Sequence, residues 1–255
     1  MADCAIEALA EDALLLRFGD GIDVATNARV HAAARALRNA GLPGITDIAP
    51  AYAALLLRFD PWAWWDKNGT GKLPHERLAE ILDDLLRAAN TKSLGPGLRR
   101  DDEQKTGSSP DAIARTVEIP VCYGGEYGLD LDAVAEHAGL SRDDVIARHT
   151  SAEYTVAMLG FAPGFPYLLG LDPSLQMPRR ADPRTRVPAG SIAIGGAQTG
   201  IYPRELPGGW HLIGRTPLAL FDPAREPPCL LAPGDHVQFR AIEADEFEHL
   251  AERDA

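Results

Sequence analysis

The residues with the clearest chemical potential are four arginines within eight positions, Arg179, Arg180, Arg184 and Arg186, with a single acid, Asp182, between them. Prolines within and beside this stretch fix backbone φ angles and limit the freedom of the loop. Guanidinium groups held in this way can bind a carboxylate or a phosphate through paired hydrogen bonds. The cluster therefore predicts an anion site; the alternative is an exposed loop whose arginines pair with acidic neighbours.

Glycine-rich turns surround the arginines. Gly160–Gly164, Gly195-Gly196 and Gly208-Gly209 would let backbone N–H groups approach a ligand, although ordinary β-turns also explain such glycines. Polar and aromatic residues lie among these turns: Gln198, Thr199, Tyr202, Trp210 and Arg215. This combination favours a site for a small polar anion, and no obvious nucleophile lies within it.

The composition argues against several other functions. The 255 residues carry 25 basic and 37 acidic side chains, and the net charge of −12 disfavours a nucleic-acid binder, which needs a basic face. Three scattered cysteines are too few for a disulfide framework or a zinc site. The uncharged stretch 154–171 contains two prolines and three glycines, so we expect no membrane helix. The acidic amino terminus does not resemble a signal peptide, which favours a cytoplasmic protein.

The elements that must position these residues fall into two domains. Residues 1–90 show the pattern strand, strand, helix, strand, strand, helix, which predicts a small α+β domain. The polar residues 91–113 predict a linker or loop. Residues 114–255 begin with one strand and two short helices and continue as short strands broken by Gly and Pro. They predict a β-barrel or a sandwich, with a strand at Leu218–Phe221 among others.

Several segments of the second domain resemble the subunit 1 family of the allophanate hydrolase/carboxyltransferase group. This family includes the B-type subunits of bacterial 5-oxoprolinases and KipI-type inhibitors of a sensor histidine kinase. The matching segments are VEIPVCYGGEYGLDLDAVAEHAGLSRDDVIARHTSAEY, GFAPGFPYLLGLD, PRRADPRTRVPAGSIAIGGAQTGIYPRELPGGW and LIGRTPLALFDP. The resemblance is specific over residues 116–239 and looser over residues 1–90.

The resemblance implies an α+β N-terminal domain followed by an all-β cyclophilin-like barrel domain. It also implies a hetero-oligomer with two other proteins, the C-type 5-oxoprolinase subunit (carboxyltransferase subunit 2) and the A-type lactam-utilisation protein. Such a complex opens 5-oxo-L-proline to L-glutamate with ATP and Mg²⁺. The resemblance implies no metal or biotin attached to this chain, and neither nucleic acid nor a membrane as a partner.

Taken together, the residues and the resemblance predict two sets of site residues, whereas the catalytic residues stay unidentified. The predicted substrate- or anion-binding residues, expected to line one pocket, are Arg179, Arg186, Gln198, Thr199, Tyr202, Arg215 and His149. The residues predicted to form a pocket loop or to contact a partner are Gly160, Phe161, Pro163, Gly164, Phe165 and Trp210.

Two other functions stay open within the same family. The chain could be a KipI-type inhibitor that binds a sensor histidine kinase. It could also be one component of a biotin-dependent urea or amide carboxyltransferase, of the allophanate/urea amidolyase type. Because the sequence lacks a biotin-attachment lysine motif, this last function would require a separate biotin carrier.

Overall fold

A computed structural model describes residues 4–66, 69, 71–93 and 115–253 of the chain. The chain divides into two compact units, Met1–Ile113 and Ala114–Ala255. Most of the predicted linker lies outside the described residues, and its first three residues belong to a helix that ends at Ser93. The predicted domain boundaries therefore stay a prediction. Within the described part of the chain, no helix has the length and apolar character needed to span a membrane.

The first unit contains a four-stranded antiparallel sheet with the strand order β1-β2-β4-β3, and its strands and helices follow the order that the sequence predicts. The strands are β1 (Ala5–Ala10), β2 (Ala13–Arg17), β3 (Ile45–Pro50) and β4 (Ala54–Phe59). The helices are α1 (Val24–Ala40) and α2 (Pro74–Ser93), and a short 3-10 helix covers Pro61–Trp64.

Alternation along the central strands explains how this sheet packs. Leu14 lies opposite Leu57, and Leu16 lies opposite Leu55, so these four side chains share one face of the sheet. All four are buried, and they form one core with apolar residues of α1 and α2. Both helices therefore cover the same face of the sheet.

The second unit is built around a closed barrel. Seven strands close it in the order β10-β7-β6-β13-β5-β12-β9, and β8 and β11 pair separately as a two-stranded sheet. The strands are β5 (Thr116–Tyr123), β6 (Tyr154–Leu159), β7 (Pro166–Leu169), β8 (Arg184–Val187), β9 (Ser191–Gly195), β10 (Gln198–Ile201), β11 (Leu206–Gly208), β12 (His211–Arg215) and β13 (His236–Ile242). Three helices accompany them: α3 (Leu131–Ala138), α4 (Arg142–Ser151) and α5 (Ala244–Arg253).

The barrel is confirmed, with two corrections. The unit is not all-β, because it contains three α-helices, the last of which the sequence pattern did not indicate. The strand predicted at Leu218–Phe221 is wrong, since this segment forms only an isolated bridge between Phe221 and Cys229. Prolines on both sides of the segment remove backbone donors that a ladder would need.

Candidate functional site

A buried carboxylate, Asp130, holds residues 179–186 in place. We call this segment the arginine loop, although its last three residues belong to strand β8. Its Oδ2 accepts hydrogen bonds from Arg184 Nη1 at 2.8 Å and from the Leu212 N–H at 2.7 Å. Its Oδ1 accepts hydrogen bonds from Arg184 Nη2 at 2.8 Å and from Arg180 Nη1 at 3.2 Å. Only 8% of the Asp130 side chain is exposed, so one enclosed acid fixes two arginines.

Asp130, Arg180 and Arg184 together form a cationic group. Burial by itself raises the pKa of Asp130, but the hydrogen bonds from Arg184 and from the Leu212 N–H outweigh burial and lower that pKa below its ordinary value. Asp130 is therefore ionised at neutral pH. Because one carboxylate faces two guanidinium groups, Asp130, Arg180 and Arg184 together carry one net positive charge.

Aromatic side chains form a separate packed cluster beside these arginines. Phe165 is its centre, with ring centroids 5.2 Å from Tyr202, 5.9 Å from Trp210 and 4.9 Å from Tyr167. The barrel wall accommodates the cluster because Gly195 has no side chain. A Cβ atom at that position would lie 2.6 Å from the Trp210 indole.

The aromatic cluster and the arginine loop line one cavity of about 330 Å³. Arg179 places its guanidinium carbon 5.6 Å from the Trp210 ring centroid, which is a cation–π distance. The described residues provide no ion-pair partner for Arg179. The remaining lining residues are Phe161, Phe165, Tyr167, Arg180, Pro183, Tyr202, Pro207, Gly208, Gly209 and Trp210. The volume lies at the small end of the range for ligand sites.

Tyr202 contributes a neutral hydrogen-bond donor to this cavity. Burial, assisted by the nearby Tyr167, raises the pKa of Tyr202 to about 12. The phenol therefore keeps its proton at neutral pH. Its oxygen lies close to Gly208, where an added Cβ atom would come within 2.1 Å of it.

A larger groove lies in the first unit but contains none of the predicted site residues. It has a volume of about 400 Å³ and is lined by residues around the end of α1 and the start of β3. Arg38, its one cationic residue, already donates a hydrogen bond from Nη2 to the Ile48 carbonyl. We therefore place the candidate site in the second unit.

The predicted binding residues do not share one pocket. Arg179 and Tyr202 line the cavity, but Arg186 is exposed and lies 3.7 Å from Glu205. Arg215 donates from Nε to the Ala189 carbonyl at 2.7 Å and lies over the Phe247 ring. The structure does not bring these arginines into one pocket, because Arg186 lies on β8 and Arg215 lies on β12, and the two contact different neighbours.

Gln198 and Thr199 are both buried on β10, and neither lines the cavity. Adjacent strand residues point to opposite faces, so the two side chains cannot serve one site. Thr199 donates a hydrogen bond from Oγ1 to the Ala193 carbonyl at 3.0 Å and lies 3.4 Å from His149 Nε2. Thr199 therefore packs beside His149 rather than at the cavity.

His149 is enclosed completely inside the barrel. Its Nδ1 lies 2.8 Å from the Tyr123 hydroxyl, and its ring stacks on Phe239 with centroids 4.5 Å apart. Burial lowers the pKa of His149 to about 3, so the imidazole is neutral at physiological pH. A neutral, enclosed ring is a packing residue, and the geometry does not support the predicted contact with an anion.

The predicted pocket loop joins β6 to β7. Phe161 and Phe165 line the cavity, as does Trp210. Gly164 has a φ of 78°, and an added Cβ atom there would come within 2.7 Å of the Phe221 Cβ atom. Gly160 and Pro163 lie in the same loop but do not line the cavity.

The sequence-based site residues omitted Asp130, Arg180, Arg184 and Tyr167. Asp130 precedes α3, where an aspartate indicates a helix cap, yet its side chain makes no capping hydrogen bond. Its partner Arg184 lies 54 residues further along the chain. No local sequence pattern could have shown that these two residues pair. The position of an aspartate directly before a helix is the sequence feature that draws attention to Asp130.

The comparisons with known proteins agree with the fold. Residues 4–231 match the family described as carboxyltransferase domain, subdomain C and D, and the chain belongs to this family. The B subunit of 5-oxoprolinase from Bacillus subtilis is 40% identical over 256 aligned residues, which cover 97% of this chain and 96% of that protein. The B subunit of 5-oxoprolinase from Escherichia coli O157:H7 is 56% identical over 142 residues, 56% of this chain and 64% of that protein.

A solved structure extends the likeness to three dimensions. The crystal structure of TTHA0988 has a TM-score of 0.70 and 41% identity. The match covers 91% of this chain and 40% of the TTHA0988 chain, so this chain corresponds to less than half of that longer protein. The family resemblance predicted from the sequence motifs is thereby confirmed.

Replacing Asp130 by Asn should remove a pH-dependent part of the stability. Because folding lowers the pKa of Asp130, its contribution is present above the ordinary carboxyl pKa of about 3.9 and is lost as the pH falls through the lower folded value. Disrupting such a buried ion pair costs about 3–5 kcal/mol at neutral pH. Urea unfolding at pH 7, 5 and 3 gives the free energy of unfolding of wild type and of Asp130→Asn. The difference between the two proteins should be smaller at pH 3 than at pH 7. Asp132→Asn, which changes an exposed side chain on α3, is the control. A difference in the free energy of unfolding that does not depend on pH would contradict the role of ionised Asp130.

Replacing Gly195 by Ala should displace the Trp210 ring, because the added methyl group would lie 2.6 Å from it. We expect a loss of about 1–3 kcal/mol in the free energy of unfolding, the usual cost of overpacking. We also expect a shift of the Trp210 indole N–H resonance, assigned with Trp210→Phe. Gly209→Ala is the matched control, since its nearest neighbour would lie at 3.6 Å. An unmoved resonance in Gly195→Ala would show that the ring does not rest on Gly195.

Proposed function

We propose that this chain is one component of an ATP-dependent 5-oxoprolinase and provides the binding site for 5-oxo-L-proline. The likeness to the B subunit of 5-oxoprolinase from Bacillus subtilis, over nearly the whole of both chains, carries this proposal. The proposed complex includes the C-type 5-oxoprolinase subunit and the A-type lactam-utilisation protein, and it is cytoplasmic. The barrel of this chain is proposed to be cyclophilin-like.

The cavity supports the substrate because its groups match those of 5-oxo-L-proline. This molecule is a five-membered lactam with one carboxylate, an apolar ring edge and one amide oxygen. Arg179 would bind the carboxylate, and the rings of Phe165 and Trp210 would pack on the lactam ring. Tyr202 would donate its hydroxyl proton in a hydrogen bond to the lactam oxygen.

The arrangement favours activation of the lactam. An amide carbonyl is a poor electrophile, and a donor at its oxygen stabilises the negative charge that develops there. The net positive charge of Asp130, Arg180 and Arg184 acts in the same direction at the cavity edge. ATP would transfer its γ-phosphoryl group to the lactam oxygen. Attack of water on the same carbon, with cleavage of the ring C–N bond and protonation of the nitrogen, would give an acyl phosphate, whose hydrolysis releases L-glutamate and phosphate.

Binding of ATP and Mg²⁺ is proposed for the assembled complex rather than for this chain alone. Among the described residues, no three His, Cys, Asp or Glu side chains come together in a way that could hold a metal ion. We propose that the part of this chain in the complex is to bind and orient the lactam.

The direct test reconstitutes the chain with its two proposed partners and measures glutamate formation from 5-oxo-L-proline and ATP. We expect glutamate in the complete mixture and none when any one of the three proteins is omitted. Absence of glutamate from the complete mixture would overturn the proposal. Binding to a sensor histidine kinase would then favour the inhibitor, and biotin-dependent carboxylation of urea would favour the carboxyltransferase.

Within that complex, Arg179→Gln should raise the KM for 5-oxo-L-proline about tenfold or more, since hydrogen bonds to a charged group contribute about 1.5–3 kcal/mol. Arg142→Gln, which changes an exposed arginine on α4, is the control. Arg186→Gln tests an arginine that the sequence predicted to bind substrate but that lies outside the cavity. We expect this substitution to leave the KM nearly unchanged. A large effect of Arg186→Gln with an unchanged KM in Arg179→Gln would contradict the site.

A further inference from the structure

The loop over the cavity contains a strained residue, Phe161. Its φ of 68° is positive, and among the described residues no other residue except glycine has a positive φ. The Ala162 N–H donates a hydrogen bond to the Gly160 carbonyl at 2.8 Å, so Phe161 is the central residue of a γ-turn of the rare, strained kind. The Gly160 N–H also donates to the Phe165 carbonyl at 3.1 Å, which closes the loop.

Packing within the chain does not compensate for this strain. The Phe161 side chain is 61% exposed, and its ring contact with Phe165 has a centroid separation of 5.5 Å. Glycine would adopt the same φ without steric cost. The chain therefore carries an exposed aromatic ring at a position where the backbone favours glycine.

The Phe161 ring lies at the candidate site. Phe161 lines the same cavity as Arg179 and Trp210, whose volume of about 330 Å³ suits a small molecule, so a ligand in the cavity would meet the ring. We propose that Phe161 is a ligand-contacting, specificity-determining residue whose ring packs on the apolar face of a small cyclic carboxylate. The identity of that carboxylate as 5-oxo-L-proline rests on the proposed function.

The closed γ-turn adds to this role by fixing the backbone of Phe161 before the ligand arrives. A wall that is already ordered loses little conformational freedom on binding, so more of the contact energy becomes affinity. A flat ring also separates substrate from product. The lactam offers a compact apolar face to Phe161, whereas L-glutamate is an open chain with an extra ammonium group and an extra carboxylate. Phe161 therefore favours the cyclic substrate over the open product.

The test compares Phe161→Gly and Phe161→Leu in the complete complex and in the full-length chain. Phe161→Gly should raise the KM for 5-oxo-L-proline about three- to tenfold, the usual range for loss of an aromatic contact. Its thermal unfolding midpoint should be unchanged or higher, because glycine relaxes the turn. Phe161→Leu keeps apolar bulk and strain, so its KM should lie between those of wild type and Phe161→Gly. Leu129→Ala, which removes another 61% exposed apolar side chain outside the cavity, should leave KM unchanged.

Three results would overturn the inference. A KM within twofold of wild type in Phe161→Gly would show that the ring does not contact the substrate. A marked fall of its unfolding midpoint would show that Phe161 is a packing residue. Loss of assembly with the C-type partner at unchanged substrate affinity would assign the ring to a protein interface.

Failure of the proposed function gives a different result from failure of this inference. If the wild-type complex forms no glutamate, the proposed function fails, and calorimetric titration of the full-length chain with 5-oxo-L-proline decides the role of Phe161. Weaker binding by Phe161→Gly would support the ligand contact. Equal binding by both proteins, or no binding by wild type, would overturn it.

Discussion

The ion pairs of Asp130 hold the second unit's binding region together. Two adjacent guanidinium groups repel each other, and a buried acid between them makes their approach favourable. Asp130 also exchanges two hydrogen bonds with Leu212, because its carboxylate accepts from the Leu212 N–H and its own N–H donates to the Leu212 carbonyl at 2.8 Å. The start of α3, the strand β12 and the arginine loop are thereby fixed to one another. Arg179 is left at the cavity with no carboxylate beside it among the described residues.

The aromatic wall depends on a second constraint, the close approach of rings to the barrel backbone. Gly195 on β9 leaves space for the Trp210 indole, and Gly200 on β10 leaves space for Phe165. The interior of the barrel is filled by apolar side chains and by the enclosed His149. Ligand chemistry is therefore placed outside the barrel core, where flat apolar rings meet cationic side chains. A small cyclic carboxylate has the two features that such a surface recognises.

The sequence pattern predicted the elements of the first unit, because apolar alternation and helical periodicity are local signals. For the second unit the pattern left a barrel or a sandwich open, and the family resemblance implied the barrel. The pattern missed β7, β8, β10 and β11, which have only three or four residues each, too few for alternation to show. It recognised the arginine cluster as cationic but could not assign its members. Arg184 is bound to an acid 54 residues away, and Arg186 is exposed, although the two arginines are separated by one residue. Such pairings depend on the fold rather than on spacing.

The central claim is that the cavity bounded by Arg179 and Trp210 binds 5-oxo-L-proline. A crystal structure of the full-length chain with this lactam tests it most directly. The account predicts ligand density in the cavity, with the carboxylate about 2.7–2.9 Å from the Arg179 guanidinium nitrogens and the lactam ring against the Trp210 indole. Ligand density at another place on the chain, with this cavity empty at saturating ligand, would contradict it.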